Sequence, residues 1–305
     1  MSSRWYVPAL AGFVSLLAAC DPDRASAPAA LPSAPGEIVN GTLDLANTYS
    51  NVGAFIVRLP NGQVFPICSG TLIAPTAFLT ASHCTAFFQT LGDGFTAYVS
   101  FRNVIAFGAK TDATTLASLI PVTNVITNPT FSQRQSNSGD IGLLILASAP
   151  AGLTPATLPT TGLLDALNEK NGLKNAKFTV AGYGLQDRIV GGGQPFFTDA
   201  NPVTRGFAVE SFNALNNGYL RLSQNASHGD GGACYGDSGG PNFFSVGGQQ
   251  VLVAITITGD TPCGATNVVY RLASPRRRTF SRRTCRDGEG DVGSAPRTDK
   301  ARRPA

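Results

Sequence analysis

Charge, histidine, tryptophan and helical periodicity are all scarce in this chain of 305 residues, and each scarcity narrows what it can be. Only 14% of residues are charged while 43% are hydrophobic, so the chain is not disordered overall and can bury one large core or two medium ones. Segments with a sustained 3.6-residue apolar period are nearly absent, residues 162–171 being the best short candidate, and this argues against helical bundles and doubly wound α/β layouts. The longest apolar run, Trp5 to Ala19, is short for a membrane span and runs directly into Asp21-Pro-Asp-Arg24. It also holds the only tryptophan. The two histidines, His83 and His228, leave few candidates for imidazole chemistry.

What is present reads as strand. Gly53 to Leu59, Thr96 to Phe101, Lys177 to Ala181 and Gln250 to Ile257 are short, rich in β-branched or aromatic residues, and punctuated by Gly, Pro and Asn. An all-β architecture follows.

The most informative segment is Cys234 to Pro241, Cys-Tyr-Gly-Asp-Ser-Gly-Gly-Pro. It offers a serine in a glycine-lined turn beside a carboxylate. A serine hydroxyl is a poor nucleophile at neutral pH, and needs an adjacent base and backbone N–H donors aimed where negative charge develops. His83 lies in Leu-Thr-Ala-Ser-His-Cys, residues 79–84, and Asp140 stands at the mouth of an apolar run, Ile-Gly-Leu-Leu-Ile-Leu. Each alone has an ordinary reading as a surface residue, a cap or a turn. Together, in the order His83, Asp140, Ser238 and separated by 57 and 98 residues, they point to nucleophilic catalysis.

These motifs resemble the trypsin/chymotrypsin family of serine proteases over roughly residues 38–273. The resemblance implies two packed six-stranded Greek-key β-barrels with the active site in the cleft between them. It implies that His83 is the general base, Asp140 its orienting partner and Ser238 the nucleophile, with the N–H groups of Gly236 and Ser238 as the oxyanion hole. It pairs Cys68 with Cys84 and Cys234 with Cys263, the former closing a loop around the histidine turn at about 3 kcal/mol in the chain-entropy view. Glu37-Ile-Val-Asn-Gly41 looks like the family's activation junction, at which a cut before Ile38 frees an amino group to pair with Asp237; alternatively Ile38-Val39 simply begins a strand. For substrate binding it points to Gly232, Ile257, Thr258, Gly259 and Val268. Gly232 stands where trypsin-like enzymes carry an aspartate for Lys or Arg, and Val268 near a position where deep-pocket relatives have glycine, so small to medium apolar side chains are expected. Ile257 and Thr258 depart from the serine and tryptophan usual there, and Gly182-Tyr-Gly184 from Gly-Trp-Gly. The substrates implied are proteins or peptides, with no metal and no organic cofactor.

The ends differ from the middle. Arg4, the apolar run and Leu17-Ala-Ala-Cys20 read as an export signal over residues 1–19. Leu-Ala-Ala-Cys resembles the lipobox of bacterial lipoproteins, which implies a lipid on Cys20 and a place in the bacterial cell envelope; an ordinary secretory peptide is the alternative. Residues 20–37, rich in Pro, Ala and Ser, read as a tether or propeptide, and 38–274 as the protease domain, its barrels at about 38–150 and 151–274. The stretch 275–305 carries 10 Lys+Arg against 4 Asp+Glu, a net +6 that leaves −2 on the rest of a chain whose total is +4. The basic balance therefore belongs to a tail, read as solvated and disordered, with a polyanion-binding tail or a reading-frame error near residue 274 as rivals, and no nucleic acid is expected on the catalytic domain. Cys285 has no assigned partner, and His228 reads as a loop residue, with acidic side-chain binding as its rival. A catalytically silent binding module on the same fold is the alternative function, though it would usually lose a triad member; an acyl hydrolase would more often sit on an α/β fold.

Overall fold

The computed structural model describes residues 38–132, 137–184 and 201–275. The export segment, Cys20, the Pro/Ala-rich stretch to residue 37, and Cys285 with all but the first residue of the basic tail lie outside them.

The chain opens with β1 (Thr42–Leu43), β2 (Val52–Arg58), β3 (Val64–Ala74) and β4 (Ala77–Thr80), followed by the helix α1 (Ser82–Gln89). Next come β5 (Thr96–Ser100), β6 (Val104–Ile105), α2 (Ala113–Ala117), β7 (Ile120–Ile126) and β8 (Gly142–Leu146). The second half contains α3 (Leu163–Glu169), β9 (Lys177–Gly182), β10 (Val203–Thr204), β11 (Gly206–Leu215) and β12 (Tyr219–Ser223). It ends with β13 (Pro241–Val246), β14 (Gln249–Gly259) and β15 (Thr266–Arg271). The four strand-like segments of the sequence fall in β2, β5, β9 and β14, and the weak helical period at 162–171 forms α3.

Two closed six-stranded antiparallel barrels result. The first runs β2-β3-β4-β8-β7-β5; the second runs β9-β11-β12-β15-β14-β13 and closes through the pairing of β13 with β9. Each winds its own strands in the same order, first-second-third-sixth-fifth-fourth. Six strands close only if they coil strongly, and register shifts supply that coiling at Phe55/Ile56, Leu72/Ala74 and Val122/Asn124 in the first barrel, and at Phe212/Ala214, Asn242/Phe243 and Thr256/Thr258 in the second.

Closure explains why β2 is buried almost end to end: one face fills the barrel while the other meets neighbouring elements. One core joins first-barrel residues such as Phe55, Phe78 and Leu143 to Phe243, Leu252 and Ile255 of the second, so the barrels share an apolar seam. Each fully buried Leu, Ile or Phe there contributes about 1.5–3 kcal/mol. A smaller core of Leu164, Phe178, Leu222, Val253 and Val269 fills the second barrel.

The first residues do not join the first barrel, where sequence order had put them. Val39 bridges Gly232, and Thr42 pairs with Phe207 on β11, because a short extended segment gains its hydrogen bonds from the exposed edge beside it. Arg205, wholly buried, pins the next residues: its guanidinium contacts Asp44 at 2.8 Å and donates to the Val52 carbonyl at 2.9 Å and to Asn47. Among the described residues no helix is long and apolar enough to cross a membrane.

Candidate active site

Strand pairing brings His83 and Asp140 together across 57 residues of sequence. Thr80 at the end of β4 pairs with Gly142 at the start of β8, so α1, which follows the one, lies beside the residues preceding the other. Ser82 bolts the two together, donating to the Ile141 carbonyl at 2.7 Å and accepting the Asn128 N–H at 2.9 Å. Asp140 is 5% exposed, and both its oxygens accept from one residue: Oδ1 from the His83 backbone N–H and Oδ2 from the His83 Nδ1, each at 2.8 Å. With Nδ1 fixed on the carboxylate, the second ring nitrogen is left for other work.

Ser238 sits in a turn that only glycine can complete. Gly236 has φ +98° and Gly239 has φ +81°, and a Cβ on Gly239 would lie 2.2 Å from Thr80 Oγ1 and 2.5 Å from the Ser69 carbonyl. The close approach lets β3 grip the turn from the first barrel. Ser69 donates its N–H to the Ser238 carbonyl at 2.9 Å and its hydroxyl to the Gly236 carbonyl at 3.0 Å. Within the turn the N–H groups of Asp237, Gly239 and Gly240 are spent on the carbonyls of Cys234, Thr256 and Asp237. Those of Gly236 and Ser238 have no partner among the described residues.

Disulfides hold both halves: Cys68 to Cys84 under the His83 helix and Cys234 to Cys263 beside the Ser238 turn, with Cα separations of 6.3 Å and 5.3 Å. The first bond also disposes of a metal reading. Atoms of Cys68, His83 and Cys84 lie within 4.8 Å of one another, but sulfurs bonded to each other offer no thiolate.

His83, Asp140 and Ser238 line one cavity of about 710 Å³, and Ile257, Thr258, Gly259 and Val268 line it too. Residues 44–275 match the protein family described as Trypsin. The chain belongs to the trypsin family. It is also similar to chymotrypsin-like elastase family member 1 of Canis lupus familiaris, with 25% identity over 231 residues covering 74% of this chain and 83% of the relative. The protein is thus a serine-type endopeptidase, a hydrolase of peptide bonds.

In this trypsin-family protease Gly232 departs from its expected place. It is buried and does not line the cavity; a Cβ there would lie 2.2 Å from both Cβ and Oε1 of Gln224. Gln224 occupies the space that an aspartate anchor would need. His228 ends a short 3-10 turn, Ala226–His228, away from the cavity lining.

Two buried acids stand behind the site. Asp237, fully buried, accepts the N–H groups of Gly184 at 2.8 Å and Cys234 at 2.9 Å, yet burial still pushes its carboxyl up to about 7. No cationic side chain pairs with it among the described residues. Ile38 is fully buried with Val180, Ala208 and Ala233, and its φ of +127° lies in a region that β-branched residues avoid. The second acid, Glu210, escaped the sequence reading. Burial pushes it up to about 8, against the Asn267 amide and the Ala233 N–H, which favour its charged form; the charges of Asp237 and Asp230 add to the rise. One signal marked it: Glu210 shares the inward parity of Gly206 and Ala208 along β11.

Proposed function

We propose that Ser238 attacks the scissile carbonyl while His83 takes its proton and later returns it to the leaving amine. Asp140 holds the tautomer and stabilises the imidazolium, staying ionised itself. The N–H groups of Gly236 and Ser238 receive the oxyanion, a term of about 3 kcal/mol per donor in comparable sites. The observation that carries this reading is the unspent N–H groups of Gly236 and Ser238, in a turn where those of Asp237, Gly239 and Gly240 are bonded, beside a His83–Asp140 pair on the same cavity. Covalent labelling by a fluorophosphonate is the test: Ser238→Ala and His83→Ala should each abolish it, and an active preparation that labels equally well without Ser238 ends the proposal.

The chain acts as a zymogen in this reading. Cutting Glu37-Ile38 frees an ammonium group for Asp237, the buried carboxylate of the turn that has no cationic side chain among the described residues, and it releases the strained backbone of Ile38. Because the cut follows a glutamate, another protease makes it. The side chain preferred at the cleavage site is small to medium and apolar, since Val268 narrows the cavity and Gln224 leaves no room for an anionic anchor behind Gly232. The elastase relative is compatible with that choice. A peptide-library profile dominated by Lys and Arg would refute it.

Residues 1–19 direct export, Cys20 carries lipid at a bacterial cell envelope, and one cut at Glu37-Ile38 both activates the domain and releases it. Active enzyme with Ile38 at its amino terminus, still partitioning into detergent, sinks this part.

A further inference from the structure

The cavity of this protease is backed by a carboxyl group to which neither the triad nor the activation pair gives a role. Glu210 lies on β11, wholly buried, and both its oxygens accept from the Asn267 side-chain amide of β15, at 2.9 Å and 3.2 Å. The backbone N–H of Ala233 is a second donor acting on it. Asn267 and Ala233 both line the cavity, and they come from different segments: one from a barrel strand, the other from the chain that leads into the nucleophile turn. Glu210 therefore touches two walls at once from behind.

The Cys234–Cys263 disulfide ties the neighbouring residues of the same two segments covalently, and Glu210 adds the contact to Asn267 and Ala233 themselves. The Asn267 amide is further placed at 3.4 Å from Thr256 Oγ1 and 3.5 Å from Asn242 Oδ1, both of which are acceptors like Glu210 itself. Its own Oδ1 has no partner. An amide in this setting is oriented by its strongest acceptor, and the bifurcated contact to Glu210 is the shortest. Removing that acceptor leaves the amide with two long contacts and frees it to rotate.

We infer that Glu210 is a positioning residue for substrate binding: by holding Asn267 and Ala233 it fixes the separation of two walls of the cavity. The inference rests on the reading of Ser238 as nucleophile and of this cavity as the substrate site. Its consequence depends on protonation. The groups facing Glu210 are Asp237 in the nucleophile turn and Asp230 ahead of Ala233, and the Lys177 ammonium of β9 is bonded to Asp230 at 3.0 Å rather than to Glu210. A neutral Glu210 sits in this company at little cost, whereas an ionised one repels both neighbours in a dry setting. Ionising Glu210 as the pH rises through the range near 8 nevertheless strengthens its hydrogen bonds from Asn267 and Ala233, which favour the charged form, and so tightens its grip on the walls.

The test uses active enzyme prepared from the full chain, steady-state cleavage of a short peptide anilide with an apolar residue at the scissile bond, and fluorophosphonate titration of Ser238. Glu210→Leu should raise KM about tenfold with kcat changed far less, the loss expected when one well-made buried hydrogen bond goes. Glu210→Gln should recover most of that loss, because its carbonyl still accepts from Asn267. The wild-type KM should fall above pH 8, and in Glu210→Gln, which cannot ionise, that fall should vanish. If Glu210→Leu does not fold, the pH profile of Glu210→Gln decides alone. An alkaline change of equal size in wild type and Glu210→Gln overturns the proposal, as does an unchanged KM in a folded Glu210→Leu. Stoichiometric labelling of wild type and variants keeps the protease reading in place under either result, while failure of wild type to label removes that reading first.

Discussion

The two barrels give the site carboxylates of opposite condition. Asp140, from the first barrel, has both oxygens matched by donors of His83, on an assembly bolted by Ser82 and closed by Cys68–Cys84. Asp237 and Glu210, from the second, are buried without a cation and are held well above the usual carboxylate range. The same winding order built twice thus yields one half that is complete as folded and one that is conditional on a new charge or a retained proton. In the proposed zymogen that division lets His83 and Asp140 be assembled early while the Ser238 turn is left waiting.

Substitutions in the triad should have the largest effect: Ser238→Ala and His83→Ala should each lower kcat by about a million-fold, and Asp140→Asn by about ten-thousand-fold, measured against active-site-titrated enzyme. Loss of the conditional charge comes next. Asp237→Asn in chain cut at Glu37-Ile38 should cost about 10²–10³ in kcat/KM, the scale for breaking a buried ion pair, while the equivalent variant of uncut chain should hardly change from its low starting level. Equal losses in both forms would erase the distinction between the halves. Ser69→Ala probes the grip of one barrel on the turn of the other, and should lower kcat about tenfold through the lost bond to the Gly236 carbonyl.

The smallest effect is thermal. A carboxyl raised above its unfolded value binds its proton more tightly when folded, so stability is fullest below the unfolded pKa and is lost as pH rises through the folded one. For Asp237 that window runs from the ordinary value of 3.8 to about 7, and for Glu210 from 4.5 to about 8. Uncut Ser238→Ala protein should accordingly lose more than about 3 °C in Tm between pH 5 and pH 8. The cut form, its Asp237 paired with an ammonium, should lose less. Calorimetry of both forms across that range is the check.

Much of this was legible in the sequence because it is local. The octet around Ser238, the approach to His83 and the apolar run after Asp140 each name their chemistry within a few residues, and β2, β5, β9 and β14 announce themselves by β-branched runs. What stayed hidden is non-local. The common winding of the barrels depends on pairings between distant strands, and the attachment of residues 38–43 to β11 depends on which edge is free. Gln224 behind Gly232 is a neighbour only after β12 has found β15, and Glu210 betrays itself only through strand parity.

The anchoring of the first described residues also bears on the order of the activation step. Val39 bridges Gly232, Thr42 is tied to β11 and Asp44 to Arg205, so an amino group released at Ile38 hangs on a short leash, at most four residues or about 13 Å even with the Val39 bridge open. Its search for Asp237 is an intramolecular event at a millimolar or higher effective concentration. Once the bond is cut, activation should therefore be first order in the cut chain and indifferent to dilution.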